Sequence, residues 1–513
     1  MCGERAMKIY RYDQVAERIL QLIQNGVLGE GDKIPSLRQL SQELNVSVNT
    51  VKEAYWKLES QNHIYAVPQS GYFVKKQWQP PAVSEEFDPS HLDPRQVSIC
   101  HIYGAFQNMG RCTPEISLGI SALNPEFWPT DRMSQFFQKA VRERELETYN
   151  YLMPPGYLTL RRQIARLGMA SGQDLSPEEI VITNGCHEAV FLALMVLCKP
   201  GDTVVLESPV YFSLLQLLEQ LNLRVIEVPS SVNGGMNLDT LRFILENHPV
   251  KAMFAITNYN NPLGYCLRSR KKRELVRLLA DYRVPLIEDD IYGDMNFGSR
   301  PDTCKAYDKE GEVLLCSSFS KTLAPGLRVG WIAPGKYYDR VLNMKTLLNI
   351  ATPSINQISV AYFLKEGGYD RHMRHLRARL KTQVANMRAH LLRRLPKGSR
   401  VTRPQGGTLL WVELPKLIDT FEIYRQALKE SILIAPGQLF SIKHKYAHCF
   451  RINAGTWNER VQKAVDRLGV LSHQCLEGQL EPQDRSTLPI FSDENSQLLQ
   501  NVVHHHREVQ TAK

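Results

Sequence analysis

No long hydrophobic run occurs in this 513-residue chain. The longest uninterrupted apolar stretch, AVFLALMVLC at 189–198, is about half the length of a membrane span. No membrane-crossing helix is therefore expected. The N-terminus carries no basic-then-apolar leader, which points to the cytoplasm. Ten cysteines are scattered with no Cys-x-x-Cys pair and no clustered histidine partner, which excludes both structural-zinc spacing and a disulfide framework. Free buried thiols are the expectation, and no metal is expected, even at the HHH of 504–506. There are no internal repeats. Nor is positive charge concentrated at one end: the formal net charge is +9, yet residues 1–76 hold ten Lys and Arg against eight Asp and Glu. The excess suits an anionic partner without identifying one.

Composition is that of a folded globular chain, 43% hydrophobic and 22% charged. The length exceeds what one ordinary core organises, so two or three domains are expected. Residues 8–76 read as a small first unit. In YRYDQVAERILQLIQNG, Val15, Ile19, Leu22 and Ile23 recur at helical spacing, and Asn25-Gly26 supplies the stop. Two further helices follow across a very short turn. Ser36 and Gln39 give a Ser-x-x-Gln capping box after Pro35, Leu37, Leu40 and Leu44 make a stripe, and Ser47 caps the next helix. On that helix Val51, Ala54, Tyr55 and Leu58 face inward. AVPQSGYFV then reads as two short strands about a glycine turn. In 77–113 periodicity fades and prolines gather, as in a linker with a short helix near its end. Residues 114–475 alternate short apolar runs with longer amphipathic segments, the pattern of an α/β domain with a mostly parallel sheet flanked by helices. The polar residues at the ends of those runs lie where ligands bind in such sheets. Residues 476–513 form a polar tail, expected to be disordered.

Two short helices with a tight turn let the second enter a DNA major groove by its N-terminal residues. Those residues are Ser47, Val48, Asn49, Thr50 and Lys52. Asparagine can pair with adenine, while the hydroxyls and Lys52 suit phosphates, as does Arg38 on the preceding helix. The hairpin, with Ser70 and Gly71 at its turn, would lie as a wing in the minor groove. A helical bundle for protein contact is the bland alternative. PSLRQLSQELNVSVNTVKEAYWKLESQ with GYFV resembles the winged helix-turn-helix of GntR-type bacterial transcription regulators. Ser36, Arg38, Ser47 and Thr50 match the family pattern, and Val48 stands where that pattern often has arginine.

SSFSKTLAPGLRVGW, at 317–331, raises a separate question. A lysine with hydroxyls before it and an arginine after it can hold an aldehyde cofactor as a Schiff base, pyridoxal phosphate being the common case. Such a site needs an acid at the ring nitrogen, donors to the ring oxygen, an aromatic on the ring face and a phosphate cradle. LIEDDIYGD offers Asp289 at the end of an apolar run with Tyr292 beyond it, although an acid after a strand is more commonly a helix N-cap. TNYNNPLGY offers Asn261, although Asn-Pro by itself is a turn signal. VITNGCHEAVFLAL places a glycine at a helix start, whose first amides suit a phosphate. Tyr211 follows the next strand, and Ser318 and Arg328 can reach the phosphate from either side of Lys321.

In this order, these segments resemble the fold-type I, aminotransferase-class family of pyridoxal-phosphate enzymes over roughly 115–472. The resemblance implies a transferase fold with a small C-terminal subdomain. It implies Lys321 as the Schiff-base lysine, Asp289 at the pyridinium nitrogen, Asn261 and Tyr292 at the ring oxygen, and Tyr211 as the stacking ring. It assigns the phosphate to Ser318, Arg328 and the amides at Gly185, Cys186 and His187. Tyr151, in NYLMPPGYLTL, would reach a neighbouring subunit's phosphate, which implies a homodimer. Arg451, in CFRINAG, would bind a ligand's α-carboxylate. Small or Gln side chains are more usual at 186–187.

A winged helix joined by a linker to an aminotransferase-like domain resembles the MocR-type subgroup of GntR regulators. The expectation is a pyridoxal-phosphate-dependent, DNA-binding transcription regulator that senses an amino acid or amine by external aldimine formation at Lys321. A working aminotransferase with an accessory DNA-binding domain is the alternative, with the freed Lys321 as general base. A cofactor-less structural domain would not retain Lys321, Asp289 and Arg328 together.

Overall fold

The computed structural model describes residues 11–24, 28, 32–44, 46–60, 63–67, 70–74, 92–97, 115–443 and 445–480. The chain divides into two compact units, 1–79 and 80–513. Several sequence expectations lie outside the described residues: the Asn25-Gly26 stop, the side chains of Leu22 and Ile23, Asn45 in the tight turn, most of 77–113, and 481–513. Among the described residues the cysteines are free thiols, and no cluster of His, Cys, Asp and Glu could hold a metal. No described helix is long and apolar enough to cross a membrane.

The first unit is three helices and a hairpin: α1 (Arg11–Gln24), α2 (Leu37–Glu43), α3 (Val48–Ser60), β1 (Ile64–Val67) and β2 (Gly71–Val74). Its core is built from the periodic positions, with Val15 and Ile19 of α1, Leu40 of α2, and Val51, Ala54, Tyr55 and Leu58 of α3 buried together. Ser36 accepts the N–H of Gln39 at 3.2 Å, but Gln39 turns its amide to Glu43 at 2.9 Å. Only half of the expected capping box forms, since the glutamine side chain extends forward to Glu43 rather than back to the Ser36 N–H. Ser47 caps α3 through the N–H of Thr50 at 3.1 Å. The hairpin is extended by residues 32–34, where Ile34 N–H donates to Tyr72 O and Val74 N–H to Asp32 O.

The large unit is organised on one sheet. Strands Arg224–Ser231, Thr203–Ser208, Val250–Ala255, Leu286–Asp289 and Val313–Ser318 are parallel neighbours in that order. The pattern of short, mostly apolar runs produces this arrangement, since strands covered on both faces need no alternation. Gly330–Ala333 lies antiparallel between Val313–Ser318 and Val181–Thr183. This strand was not read from the sequence, because GWIA is four residues long and adjoins the polar loop after Lys321. At the other edge Arg95–Gln96, inside the stretch read as linker, pairs with Arg224–Val225, and Leu92 and Val97 are buried in the large core.

Helix Cys186–Leu197 is apolar almost all round, and it packs on the central strands beneath helix Tyr338–Asn349. The long helix Gly368–Arg394 leads to a smaller antiparallel sheet of Arg400–Val401, Leu409–Glu413, Cys449–Asn453 and Ala435–Pro436.

Leu58 is fully buried at the centre of the first unit. Leu58→Ala is expected to destabilise that unit by about 2–5 kcal/mol. Calorimetry should show its transition lowered while the transition of the large unit stays in place.

Candidate functional site

Parallel strands leave their carboxyl ends on one edge of the sheet, and the polar residues that follow them meet there. A cavity of about 210 Å³ opens at that edge. Lys321 lies in the turn after Val313–Ser318 and lines the cavity. Its Nζ donates to Ser121 O at 2.6 Å. Burial, then the Arg451 charge, pull the lysine down to about 8, with Asp289 acting in opposition. The amine is therefore largely neutral a little above pH 8.

Asp289 ends its strand and also lines the cavity. Its Oδ1 accepts the N–H of Ile291 at 3.0 Å and the thiol of Cys186 at 3.3 Å. It is not the cap of a following α-helix. Burial raises its carboxyl to about 6 against these two donors. Asn261, buried after Val250–Ala255, donates from Nδ2 to the Tyr292 hydroxyl at 3.5 Å. Tyr211 lines the same cavity at the start of helix Phe212–Gln220.

Beside these lies an anion cradle. Gly185 precedes helix Cys186–Leu197 with φ +95°, and Cys186 and His187 open the helix at the cavity wall. A Cβ on Gly185 would stand 2.6 Å from Arg328 Nη2. Arg328, itself at φ +50°, donates from Nη2 to Asn184 O at 2.6 Å. Ser318 and Ser320 complete the wall. Free amides at a helix N-terminus with a guanidinium beside them suit a phosphate. Loss of solvent and the Arg328 charge keep His187 below the ordinary histidine range.

Arg451 comes from the smaller sheet and is 1% exposed. Nη1 donates to Asn261 Oδ1 at 2.9 Å, Nη2 donates to Gly119 O, and the Phe212 and Phe440 rings lie 5.3 and 5.2 Å from its guanidinium carbon. Its Nε has no hydrogen-bond partner. Burial pulls it down to about 10, still cationic at neutral pH. A cationic, partly unsatisfied guanidinium in such a place suits a carboxylate.

Most of the expected residues thus line one cavity, while Gly185 and Arg451 adjoin it through Arg328 and Asn261, and Tyr151, expected at the phosphate of a neighbouring copy, stands apart. Tyr151 is 69% exposed and lies outside the cavity wall. The sequence reading missed Ser121 and Ser320. Ser320 was legible from SSFSK, but Ser121 lies 200 residues from the lysine that it meets, in a segment with no motif.

In the first unit Ser36, Arg38, Ser47, Val48, Asn49 and Lys52 are exposed, as are Ser70 and Gly71 at the hairpin turn. Thr50 is half-buried, and its hydroxyl meets that of Ser47 at 2.8 Å. These two hydroxyls fix the turn before they can meet any phosphate.

Residues 128–468 match the family described as aminotransferase class I and II, and residues 11–74 match the gntR family of bacterial regulatory proteins. The HTH-type transcriptional regulators YjiR and YdcR of Escherichia coli (strain K12) are 35% and 36% identical to this chain. Each alignment covers 91% of this chain and all of the relative. Among solved structures, the α-aminoadipate aminotransferase LysN of Thermus thermophilus, complexed with N-(5'-phosphopyridoxyl)-L-leucine, is similar at 27% identity. Its TM-score is 0.67, over 74% of this chain and all of that one.

The Asp289 carboxyl titrates near 6 in the folded chain and near 3.8 when unfolded. Between these values the folded state binds the extra proton, so stability falls as pH rises through the window and the loss is complete above it. Asp289→Asn should therefore stabilise the protein without added ligand by an amount of order 1–3 kcal/mol near neutral pH. Urea unfolding should show that gain shrinking towards zero near pH 4.

Proposed function

The chain belongs to the HTH-type transcriptional regulators that join a gntR-family DNA-binding unit to an aminotransferase class I and II domain, and from that membership we propose that its large unit binds pyridoxal 5'-phosphate at Lys321 and reads an amino acid there. The aminotransferase class I and II family typically uses that cofactor. When bound, it would supply an aldehyde that bonds reversibly to amines and a ring that draws electrons from them.

The residues fit that group. Lys321, pulled down to about 8, has the free amine that a carbonyl requires. Asp289 would hold a proton on the ring nitrogen, Asn261 and Tyr292 would donate to the ring oxygen, and Tyr211 would cover the ring. Ser318, Arg328 and the amides from Gly185 to His187 would take the phosphate. Gly185 fits this role because a side chain there would displace Arg328.

Arg451 carries the reading of the ligand. Its buried Nε has no acceptor, which is costly unless a ligand supplies one. A carboxylate at Arg451 and an amine that takes the place of Lys321 describe an amino acid. To switch transcription, that ligand must favour one conformation of the protein over another. The exposed surface of α3 and the hairpin turn would bind operator DNA.

Two copies of the chain would complete the site. Leu146, Tyr149, Tyr151 and Met153 are exposed, and so are Leu347 and Ile350. The Ser354 hydroxyl donates to Asn150 O at 2.6 Å, which brings these two segments together. These exposed apolar side chains would form an interface, and Tyr151 among them would reach the phosphate of a second copy.

The absorption spectrum with pyridoxal 5'-phosphate and a panel of amino acids tests the proposal. A lysine-bound cofactor band that one amino acid shifts and holds supports the sensor. Complete, repeated conversion to the pyridoxamine form, with keto acid released, supports the enzymatic alternative. The absence of a band overturns the cofactor reading. Lys321→Ala should abolish the band and leave operator binding within about twofold, because surface and site lie in separate units. Arg451→Ala should keep the band and weaken the amino-acid response by about 30-fold or more. Arg38→Ala should weaken operator binding across sequences and reduce its salt dependence by about one counterion, as read by binding titrations at several salt concentrations.

A further inference from the structure

Asp289 is held asymmetrically. Its Oδ1 takes two donors, the Ile291 N–H at 3.0 Å and the Cys186 thiol at 3.3 Å. Two donors on one oxygen occupy its lone pairs and fix the plane of the carboxylate. Oδ2 is the edge left for a ligand. The backbone donor belongs to the turn itself, whereas the thiol reaches across from the first residue of helix Cys186–Leu197, 103 residues away in sequence.

A cysteine at a helix N-terminus often loses its proton readily. Here burial and the neighbouring Asp289 carboxylate push the other way and hold the thiol well above its ordinary range. It therefore keeps its proton, and its role as a donor, around neutral pH. A reactive thiol is not what this environment makes.

We propose that Cys186 is a positioning residue for the ring-nitrogen contact: its S–H clamps Asp289 by Oδ1, so that Oδ2 alone is presented to the pyridine nitrogen. The inference rests on the cofactor reading given above. Without the clamp, the carboxylate is free to turn and is harder to keep ionised in a buried place. Asp289 would then hold a proton on the ring nitrogen less well, and with less positive charge on the ring the Lys321 nitrogen would keep its own proton to higher pH.

The pH titration of the lysine-bound cofactor band tests this in the full-length protein, with wild type, Cys186→Ala, Cys186→Val and Cys186→Ser compared. The midpoint is expected to rise by about one pH unit in whichever of the alanine and valine variants folds, and to return towards wild type in the serine variant, which restores a donor. A purely packing role would make valine, which keeps the volume, resemble wild type and would leave serine without special effect. A band present in all variants with one common midpoint would overturn the assignment. No band in wild type would instead overturn the cofactor reading beneath it, and the two failures are distinct.

Discussion

The hydrogen bond from Arg451 to the side-chain oxygen of Asn261 ties together the two sheets of the large unit. Arg451 stands on the smaller antiparallel sheet, and Asn261 follows a central strand of the larger one. The same asparagine amide turns its nitrogen to Tyr292, and the other arm of Arg451 reaches Gly119 in the segment before the first large helices. Three distant stretches of chain are therefore fixed relative to one another by one guanidinium. Neither side chain can move without leaving a buried polar group unpaired, which is the expensive outcome.

Around that junction the local charges are set against ordinary solution behaviour. Burial alone pushes Lys321 towards a neutral amine and Asp289 towards a neutral acid, and each is partly restored by the other. Two groups whose proton affinities are displaced towards neutrality, facing one cavity, are what proton-transfer chemistry and covalent exchange require. The cost falls on stability, as it does at many functional sites. Close glycine packing on the cradle side has the same character. A Cβ on Gly330 would lie 2.5 Å from the backbone of Gly185, so the strand beside the lysine and the loop before the helix can approach only without side chains.

The first unit is held by different means. Its core is small and entirely local in pattern, and the Lys57–Asp13 ion pair between α3 and α1 is partly exposed and contributes little. Hydrophobic burial along three short helices carries its stability, which leaves the outer face of α3 and the hairpin turn free for a partner. The two units thus draw on separate cores, and a change in one need not unfold the other.

Whatever depends on near neighbours was already legible in the order of residues. Helical periodicity at 51, 54, 55 and 58, glycine before a helix at 185, and short apolar runs ending in Asp289, Asn261 and Ser318 follow from rules that act over a few residues. The family pattern added the residues that match it one by one. Contacts across hundreds of positions settled the rest. Ser121 meets Lys321, and Cys186 meets Asp289, only because the sheet order brings those loops to one edge. Gly330–Ala333 became an antiparallel strand because a gap between two parallel strands accepted it, and Leu92–Val97 left the linker because the sheet offered an open edge. A short-range rule specifies which conformations a segment can take. Long-range packing chooses among them, because only the folded chain supplies the competing partners.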